Sequence, residues 1–283
     1  MTVKNAASDI RQQLMTVYNE GEAGAITDWL MEYITGDTRT NRIVSSVELS
    51  AAQQSRVNEL LPRLLQQEPI QYVLNEAWFC GLKFYVDKNV LIPRPETEEL
   101  VEWIISNCKF PLDTLSIFDI GSGSGCIPIA LKRRLRKAEV LSCDVSETAL
   151  AVAQRNASTL GTNVTFLHCN FLDQQQWDTL PSADIIVSNP PYVPEKDKAT
   201  MQPNVLHYEP HTALFVPDND ALIFYRAIAL FGKTKLNSGG SIYMEIHESL
   251  GNEVSELFKK EGYDTEIKKD MQGKERMIRA APL

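Results

Sequence analysis

Short apolar segments alternate with helical segments from residue 116 to near residue 262, and this alternation constrains the fold more than any other feature. The first apolar segment, 116–120, leads through a glycine-rich turn into a predicted helix at about 126–136. Further strands are predicted at 139–143, 164–167, 184–187 and 241–246, further helices at 147–160, at 221–236 and up to 262, and final strands at 265–268 and 277–280. Such alternation is typical of an open parallel sheet covered by helices on both faces. We therefore expect a doubly wound α/β fold.

The region before this sheet divides into two parts. In residues 1–75, apolar side chains recur at helical spacing, which predicts a small helical domain. In residues 76–92, aromatic and aliphatic side chains lie on both sides of Gly81, which predicts a β-hairpin. We expect this hairpin to link the helical domain to a second domain at 93–283.

Composition and charge restrict the function classes. The 283 residues carry a formal net charge of −9, which argues against a broad, nonspecific grip on phosphate backbones. The five cysteines form no Cys-x-x-Cys pair, so neither a disulfide framework nor a zinc ribbon is indicated, and a reducing cytoplasm is the simplest interpretation. The sequence has no evident signal peptide and no apolar run of the ~20 residues that span a bilayer, so we expect a cytoplasmic protein.

A glycine-rich segment, Gly121-Ser122-Gly123-Ser124-Gly125, follows the first predicted strand and opens the first helix of the series. Glycines allow the backbone to turn tightly and a ligand to approach closely. The spacing departs from the Gly-x-Gly-x-x-Gly pattern of dinucleotide sites, and a plain tight turn is the alternative.

Asp144 ends the second predicted strand, at a suitable distance to reach a ribose hydroxyl pair. A carboxylate can accept two hydrogen bonds there. The alternative is a helix N-cap or turn aspartate. Together, the glycine-rich segment and Asp144 favour a cofactor that carries a nucleoside.

The sequence Asn189-Pro190-Pro191-Tyr192 follows the apolar strand predicted at 184–187. Two prolines prevent the strand from continuing, which places these residues at the carboxyl edge of the sheet, where open α/β folds bind ligands. The Asn189 side-chain oxygen and the Pro190 carbonyl can accept both hydrogens of an NH2 group, and Tyr192 can offer a flat surface to a planar amide or base. The sequence could also form a turn without function.

Two histidines, His207 and His211, stand four residues apart, but Pro210 lies between them and interrupts a helical metal pair. We expect no metal site.

The glycine-rich segment, Asp144 and Asn-Pro-Pro-Tyr together resemble class I S-adenosylmethionine-dependent methyltransferases that act on NH2 groups. Three further features narrow the resemblance: the segment 91–98, Tyr208-Glu209-Pro210 with Ala213-Leu214, and the helical region in front. With them, the chain resembles the peptide chain release factor N5-glutamine methyltransferases (the HemK/PrmC family). The resemblance implies a Rossmann-like methyltransferase sheet and an N-terminal domain that recognises substrate.

The resemblance also implies roles for individual residues. It assigns the segment 121–125 to the methionine part of S-adenosylmethionine, Asp144 to its ribose and Phe171 to its adenine. Asn189 would contact both the cofactor and the acceptor, and Asn189 to Tyr192 would hold the acceptor amide, with Asn189, Pro190 and Tyr192 as the catalytic residues. Asn170 stands where the family often has an acidic residue, which puts an adenine amino contact there in doubt.

The implied function is methyl transfer to the glutamine of the Gly-Gly-Gln motif in bacterial class I release factors, so the expected partner is a protein. The alternatives are an N6-adenine methyltransferase acting on DNA or RNA, a glutamine methyltransferase of a ribosomal protein, and a non-catalytic nucleotide-binding or interaction module. Adenine in a flipped base carries the same NH2 group. The acidic charge argues against a direct nucleic-acid substrate.

Overall fold

The computed structural model describes residues 1–44, 46–108 and 115–283. The contacts divide the chain into two compact units. Unit 1 consists of Met1–Glu76 and Gln202–Tyr208, and unit 2 consists of Ala77–Met201 and Glu209–Leu283. The chain therefore leaves unit 2 shortly after the Asn-Pro-Pro-Tyr sequence and returns to it at Glu209.

Unit 1 is helical. Its helices are α1 (Val3–Leu14), α2 (Glu20–Thr35), α3 (Arg39–Val44), α4 (Ala51–Leu65), α5 (Ile70–Leu74) and, later in the chain, α9 (Pro203–Tyr208). In α1 the buried side chains recur every three or four residues and pack against apolar side chains of α2 and α4. Side chains of Thr2, Asn19 and Ser50 accept hydrogen bonds from the first turns of α1, α2 and α4, which satisfies backbone donors that have no partner within the helix.

A seven-stranded sheet forms the centre of unit 2, in the order β10-β11-β9-β6-β3-β4-β5. These strands are β3 (Ser116–Ile120), β4 (Glu139–Asp144), β5 (Thr165–His168), β6 (Ala183–Ser188), β9 (Leu236–Glu245), β10 (Tyr263–Lys269) and β11 (Glu275–Pro282). Two short strands, β7 (Val193–Pro194) and β8 (Phe215–Val216), pair separately.

Helices cover both faces of the sheet. They are α6 (Pro95–Asn107), α7 (Cys126–Arg134), α8 (Glu147–Thr159), α10 (Ile223–Lys235) and α11 (Gly251–Lys260). Neighbouring residues of β3 point to opposite faces: Ile117 packs with side chains of α6 and α7, and Phe118 with side chains of α10 and α11. The expected doubly wound α/β fold is confirmed.

The sheet is mostly parallel, and the exception lies at one edge. β11 runs antiparallel to both β9 and β10. The connection between β10 and β11 is a tight turn in which the Gly273 N–H donates to the Asp270 carbonyl (2.9 Å), and so short a connection allows only antiparallel pairing. The expected N-cap of α8 is confirmed, because the Ser146 hydroxyl accepts from the Ala149 N–H (3.2 Å).

The predicted hairpin is shorter than 76–92. β1 (Ala77–Phe79) pairs with β2 (Leu82–Phe84), and no strand is assigned to residues 85–92. Instead, the side-chain amide of Asn156 in α8 accepts from the Tyr85 N–H (2.7 Å) and donates to the Tyr85 carbonyl (2.9 Å). The backbone at Tyr85 is therefore satisfied by a side chain rather than by a strand partner. Among the described residues, no helix combines the length and the apolar character needed to cross a membrane.

Candidate functional site

A cavity of about 400 Å³ lies at the carboxyl edge of the parallel strands. It is lined by residues that follow β3, β4, β5 and β6, together with the segments before α6 and α10. The sequence-predicted residues among them are Gly121, Ser122, Gly123, Ser124, Asp144, Phe171, Asn189, Pro190 and Pro191. The fold thus brings most of the predicted site together, since parallel strands end at one edge of a sheet.

The glycine-rich segment turns away from β3 with positive φ angles at Gly121 (89°), Gly123 (51°) and Gly125 (79°). Backbone N–H groups of Gly121 and Ser122 donate to the Cys143 carbonyl at 2.8 and 3.0 Å, which ties the turn to β4. A Cβ atom added at Gly121 or Gly123 would meet no atom within 4 Å. Both positions therefore border open space, and a side chain there would fill space available to a ligand.

Gly125 has a different environment. A Cβ atom there would lie 2.9 Å from Cδ1 of Ile129 and 3.1 Å from Cβ of Ala153 in α8. Gly125 thus permits close packing between the start of α7 and α8, while the other two glycines shape the cavity wall.

Asp144 bridges the glycine-rich segment and the turn into α8. One carboxylate oxygen accepts from the Gly123 N–H and the other from the Ser146 N–H, both at 2.9 Å. The turn role and the ligand role considered for this residue are compatible, because each carboxylate oxygen can accept more than one hydrogen bond.

Asp119 was not among the predicted site residues. It is fully buried, and its Oδ2 accepts from the Ser142 hydroxyl, which in turn lies 2.5 Å from the Ser122 hydroxyl. Oδ1 has no hydrogen-bond partner among the described residues, and burial raises the pKa of this carboxyl to about 8. The sequence did contain a signal for Asp119, which is an acidic residue inside an apolar strand that leads into a glycine-rich turn. Burying an unpaired carboxylate is costly, so such a residue indicates a functional site.

The Asn-Pro-Pro-Tyr sequence begins where β6 ends. The Ser188 hydroxyl donates to the Ile120 carbonyl (2.7 Å) and fixes this end of β6 to β3. Asn189 faces the cavity, and its Nδ2 donates to Oγ1 of Thr97 (3.2 Å). Tyr192 is placed otherwise: it is not among the lining residues, and its hydroxyl donates to Oε1 of Glu245 (3.1 Å). Burial raises the pKa of Tyr192, so this phenol stays protonated.

Phe171 and Asn170 line the cavity beside β5. The Phe171 ring centroid lies 5.6 Å from that of Trp177 and 5.2 Å from that of Phe231, and this packing holds the ring in place. Oδ1 of Asn170 accepts from the Leu172 N–H (3.2 Å). The Asn170 side chain is therefore engaged in its own turn.

An ion pair stabilises the part of the cavity wall that precedes α6. The Arg94 guanidinium donates to Oε1 of Glu209 (2.6 Å), and the Ile92 N–H donates to Oε2 (3.2 Å). The Glu209 side chain is only 1% exposed, so these bonds compensate a buried charge. This contact joins two of the segments on which the sequence resemblance was based, residues 91–98 and residues 208–210. Within the described part of the chain, no group of three or more His, Cys, Asp or Glu side chains is arranged to hold a metal ion.

Comparison with known proteins agrees with this arrangement. A model of the PrmC N-terminal domain matches residues 5–74, and a model of the methyltransferase small domain matches residues 98–208. The crystal structure of a methyltransferase from Pyrococcus furiosus, 16% identical, superimposes with a TM-score of 0.52 over 83% of this chain and 100% of that one, which shows a shared fold. Fold, cavity and domain match define the chain as an α/β methyltransferase.

Two relatives identify the family. The chain is 44% identical to a release factor glutamine methyltransferase of Flavobacterium psychrophilum over 283 residues, which is 99% of each chain. It is 41% identical to a release factor glutamine methyltransferase of Bacteroides thetaiotaomicron over 273 residues, which is 96% of this chain and 97% of the relative. The chain belongs to the release factor glutamine methyltransferase family.

Proposed function

We propose that this protein transfers a methyl group from S-adenosylmethionine to the side-chain amide nitrogen of the glutamine in the Gly-Gly-Gln motif of class I release factors. The observation that carries the proposal is the Asn189 amide, which faces the cavity while its Nδ2 is bound to Thr97. Its oxygen is then available to an acceptor NH2 group. The names of the family relatives supply the class of substrate.

The cavity fits the cofactor. Its volume of about 400 Å³ lies within the range of small-molecule sites, roughly 300–1,000 Å³. Gly121 and Gly123 leave room for close approach, Asp144 offers acceptors for a ribose diol, and Phe171 offers an apolar wall to adenine. When bound, S-adenosylmethionine supplies a methyl group activated for transfer.

The protein's task is to orient a weak nucleophile. An amide nitrogen reacts poorly because its lone pair is delocalised into the carbonyl. Asn189 Oδ1 and the Pro190 carbonyl would accept the two N–H hydrogens, aim the nitrogen and favour the positive charge that develops on it. No general base is required before transfer, because the methylated amide cation loses its proton readily. Tyr192 would help to hold the acceptor amide, and its hydrogen bond to Glu245 would keep the side chain in place.

We further propose that residues 1–75 form the recognition domain, 76–92 the hairpin linker and 93–283 the methyltransferase domain. The match of residues 5–74 to a domain model of their own supports the first division. A net charge of −9 makes a protein partner a better match than a nucleic acid.

The acceptor can be identified by mass spectrometry. Incubation of a bacterial class I release factor with the protein and S-adenosylmethionine should add one methyl group, located on the Gly-Gly-Gln glutamine. Replacing that glutamine should abolish the modification. Methylation of an adenine-containing oligonucleotide or of a ribosomal protein, with the release factor unmodified, would contradict the proposed substrate while retaining the chemistry.

Asp144→Ala should weaken S-adenosylmethionine binding by about 1.5–3 kcal/mol, the value of a lost hydrogen bond to a charged group. Titration calorimetry on the wild-type protein and on Asp144→Ala measures the difference in binding free energy. Asp144→Asn keeps one side-chain oxygen acceptor, so its affinity should lie between those of the other two proteins. Equal affinities would remove Asp144 from the cofactor site. Tighter binding of NAD than of S-adenosylmethionine would contradict the proposed cofactor.

A further inference from the structure

A series of three hydrogen bonds supports Asn189 at the wall of the cavity, which Thr97 also lines. Asn189 Nδ2 donates to Thr97 Oγ1 (3.2 Å), Thr97 Oγ1 donates to Glu245 Oε2 (2.6 Å), and the Tyr192 hydroxyl donates to Glu245 Oε1 (3.1 Å). Thr97 lies in the first turn of α6 and Glu245 is the last residue of β9. Both residues are 2% exposed, so water does not compete for these bonds.

The directions of these hydrogen bonds follow from the Glu245 carboxylate, each of whose oxygens accepts from a hydroxyl group, Oε2 from Thr97 and Oε1 from Tyr192. An ionised carboxylate accepts hydrogen bonds and donates none. Thr97 therefore donates its single hydroxyl proton to Glu245, and the Thr97 oxygen can only accept a hydrogen bond from Asn189. The side-chain NH2 group of Asn189 must then face Thr97, and its oxygen must face away from it.

This orientation matters because the two ends of an asparagine amide have nearly the same shape but opposite hydrogen-bonding character. If the amide turned over, an NH2 group would confront the NH2 group of the acceptor, and the acceptor nitrogen would not be held. Oδ1 of Asn189 has no partner within the described part of the chain, so it remains available for that contact.

Two hydroxyl donors and one positive charge face the Glu245 carboxylate and oppose the effect of burial. Burial raises the pKa of Glu245, and the hydrogen bonds from Thr97 and Tyr192 and the positive charge of Arg276 in β11 act in the opposite direction. Glu96 in α6 is the nearby like charge. Arg276 is held in turn by Asp270 (3.3 Å). Two elements, the turn after β6 and α6, thus each donate a hydrogen bond to one carboxylate at the end of β9.

We infer that Thr97, with its proton committed to Glu245, is a positioning residue that fixes which end of the Asn189 amide meets the acceptor. The inference rests on the proposed function, since it assumes that the acceptor presents an NH2 group. Thr97 would act through its hydrogen bond to Asn189.

Two substitutions at one position test this role. Thr97→Val keeps the shape and removes the hydroxyl, and kcat for release factor methylation should fall about 10- to 100-fold, because small misplacements of a reacting group have effects of that order. The Kd of S-adenosylmethionine should stay within about twofold. Thr97→Ser keeps the hydroxyl and should restore kcat to within about threefold of the wild-type value. A wild-type kcat in Thr97→Val, or an equal loss in both variants, would overturn the inference.

A second measurement does not depend on the acceptor. The side-chain amide resonances of Asn189, assigned by their disappearance in Asn189→Ala, should shift in Thr97→Val and stay near their wild-type positions in Thr97→Ser. Resonances that do not move in Thr97→Val would overturn the inference whichever substrate is methylated. Failure of the wild-type protein to methylate a release factor would instead count against the proposed function alone.

Discussion

Asn189→Ala is expected to lower kcat for methyl transfer by about 10²- to 10³-fold, the range for removing one preorganised polar contact to a reacting group. The substitution removes the only side-chain oxygen of Asn-Pro-Pro-Tyr that faces the cavity; the Tyr192 hydroxyl is directed to Glu245. The Pro190 carbonyl alone can hold one N–H hydrogen but leaves the acceptor free to rotate about that bond. Affinity for S-adenosylmethionine should change by less than about threefold, because most of the proposed cofactor contacts remain.

Rates should be measured at saturating cofactor, with circular dichroism to establish that each variant is folded. Asn170→Ala is a suitable control, because Asn170 is another cavity-lining asparagine and its oxygen accepts from the Leu172 N–H within its own turn. Its kcat should stay within about fivefold of wild type. Near wild-type turnover in Asn189→Ala would exclude the proposed role of this residue, and equal losses in both variants would indicate a general disturbance of the cavity.

The parts of the site that could be predicted from sequence depend on local chemistry. A glycine-rich turn between a strand and a helix, an acidic residue at the end of the next strand and two prolines that stop a third are all visible in short windows. Parallel strands end at one edge of a sheet, so predicting the strands also predicts that these segments meet. The N-cap at Ser146 is local in the same sense.

The remaining features of the site depend on contacts between distant parts of the chain. Thr97 and Glu245 are 148 positions apart, and no pattern in either segment indicates that their side chains meet. The hydrogen bond from the Tyr192 hydroxyl to the same Glu245 carboxylate also could not be predicted from either segment. The reversed direction of β11 was missed because strand patterns have the same period in parallel and antiparallel sheets. Tertiary packing decides the contacts of Glu245, whereas the short turn between β10 and β11 decides the direction of β11.

The second large effect concerns stability. Gly125→Ala is expected to lower the free energy of unfolding by about 2–5 kcal/mol, the sum of left-handed backbone strain and overpacking. Gly125 has a φ of 79°, and an added Cβ would lie 3.3 Å from Cα of Ala153 as well as 3.1 Å from its Cβ. Because a backbone atom is among the close contacts, relief requires a shift of α8 against α7 rather than a rotation of one side chain.

Gly123→Ala separates strain from packing. Gly123 also has a positive φ, 51°, but its added Cβ would meet no atom within 4 Å. Urea unfolding should therefore show a loss of only about 1–2 kcal/mol for this variant, the strain alone. Among folded variants, Gly123→Ala should lose more affinity for S-adenosylmethionine than Gly125→Ala, because the Cβ at position 123 enters the space proposed for the cofactor. If Gly125→Ala were as stable as Gly123→Ala, the packing of α7 on α8 would not be what requires glycine at position 125.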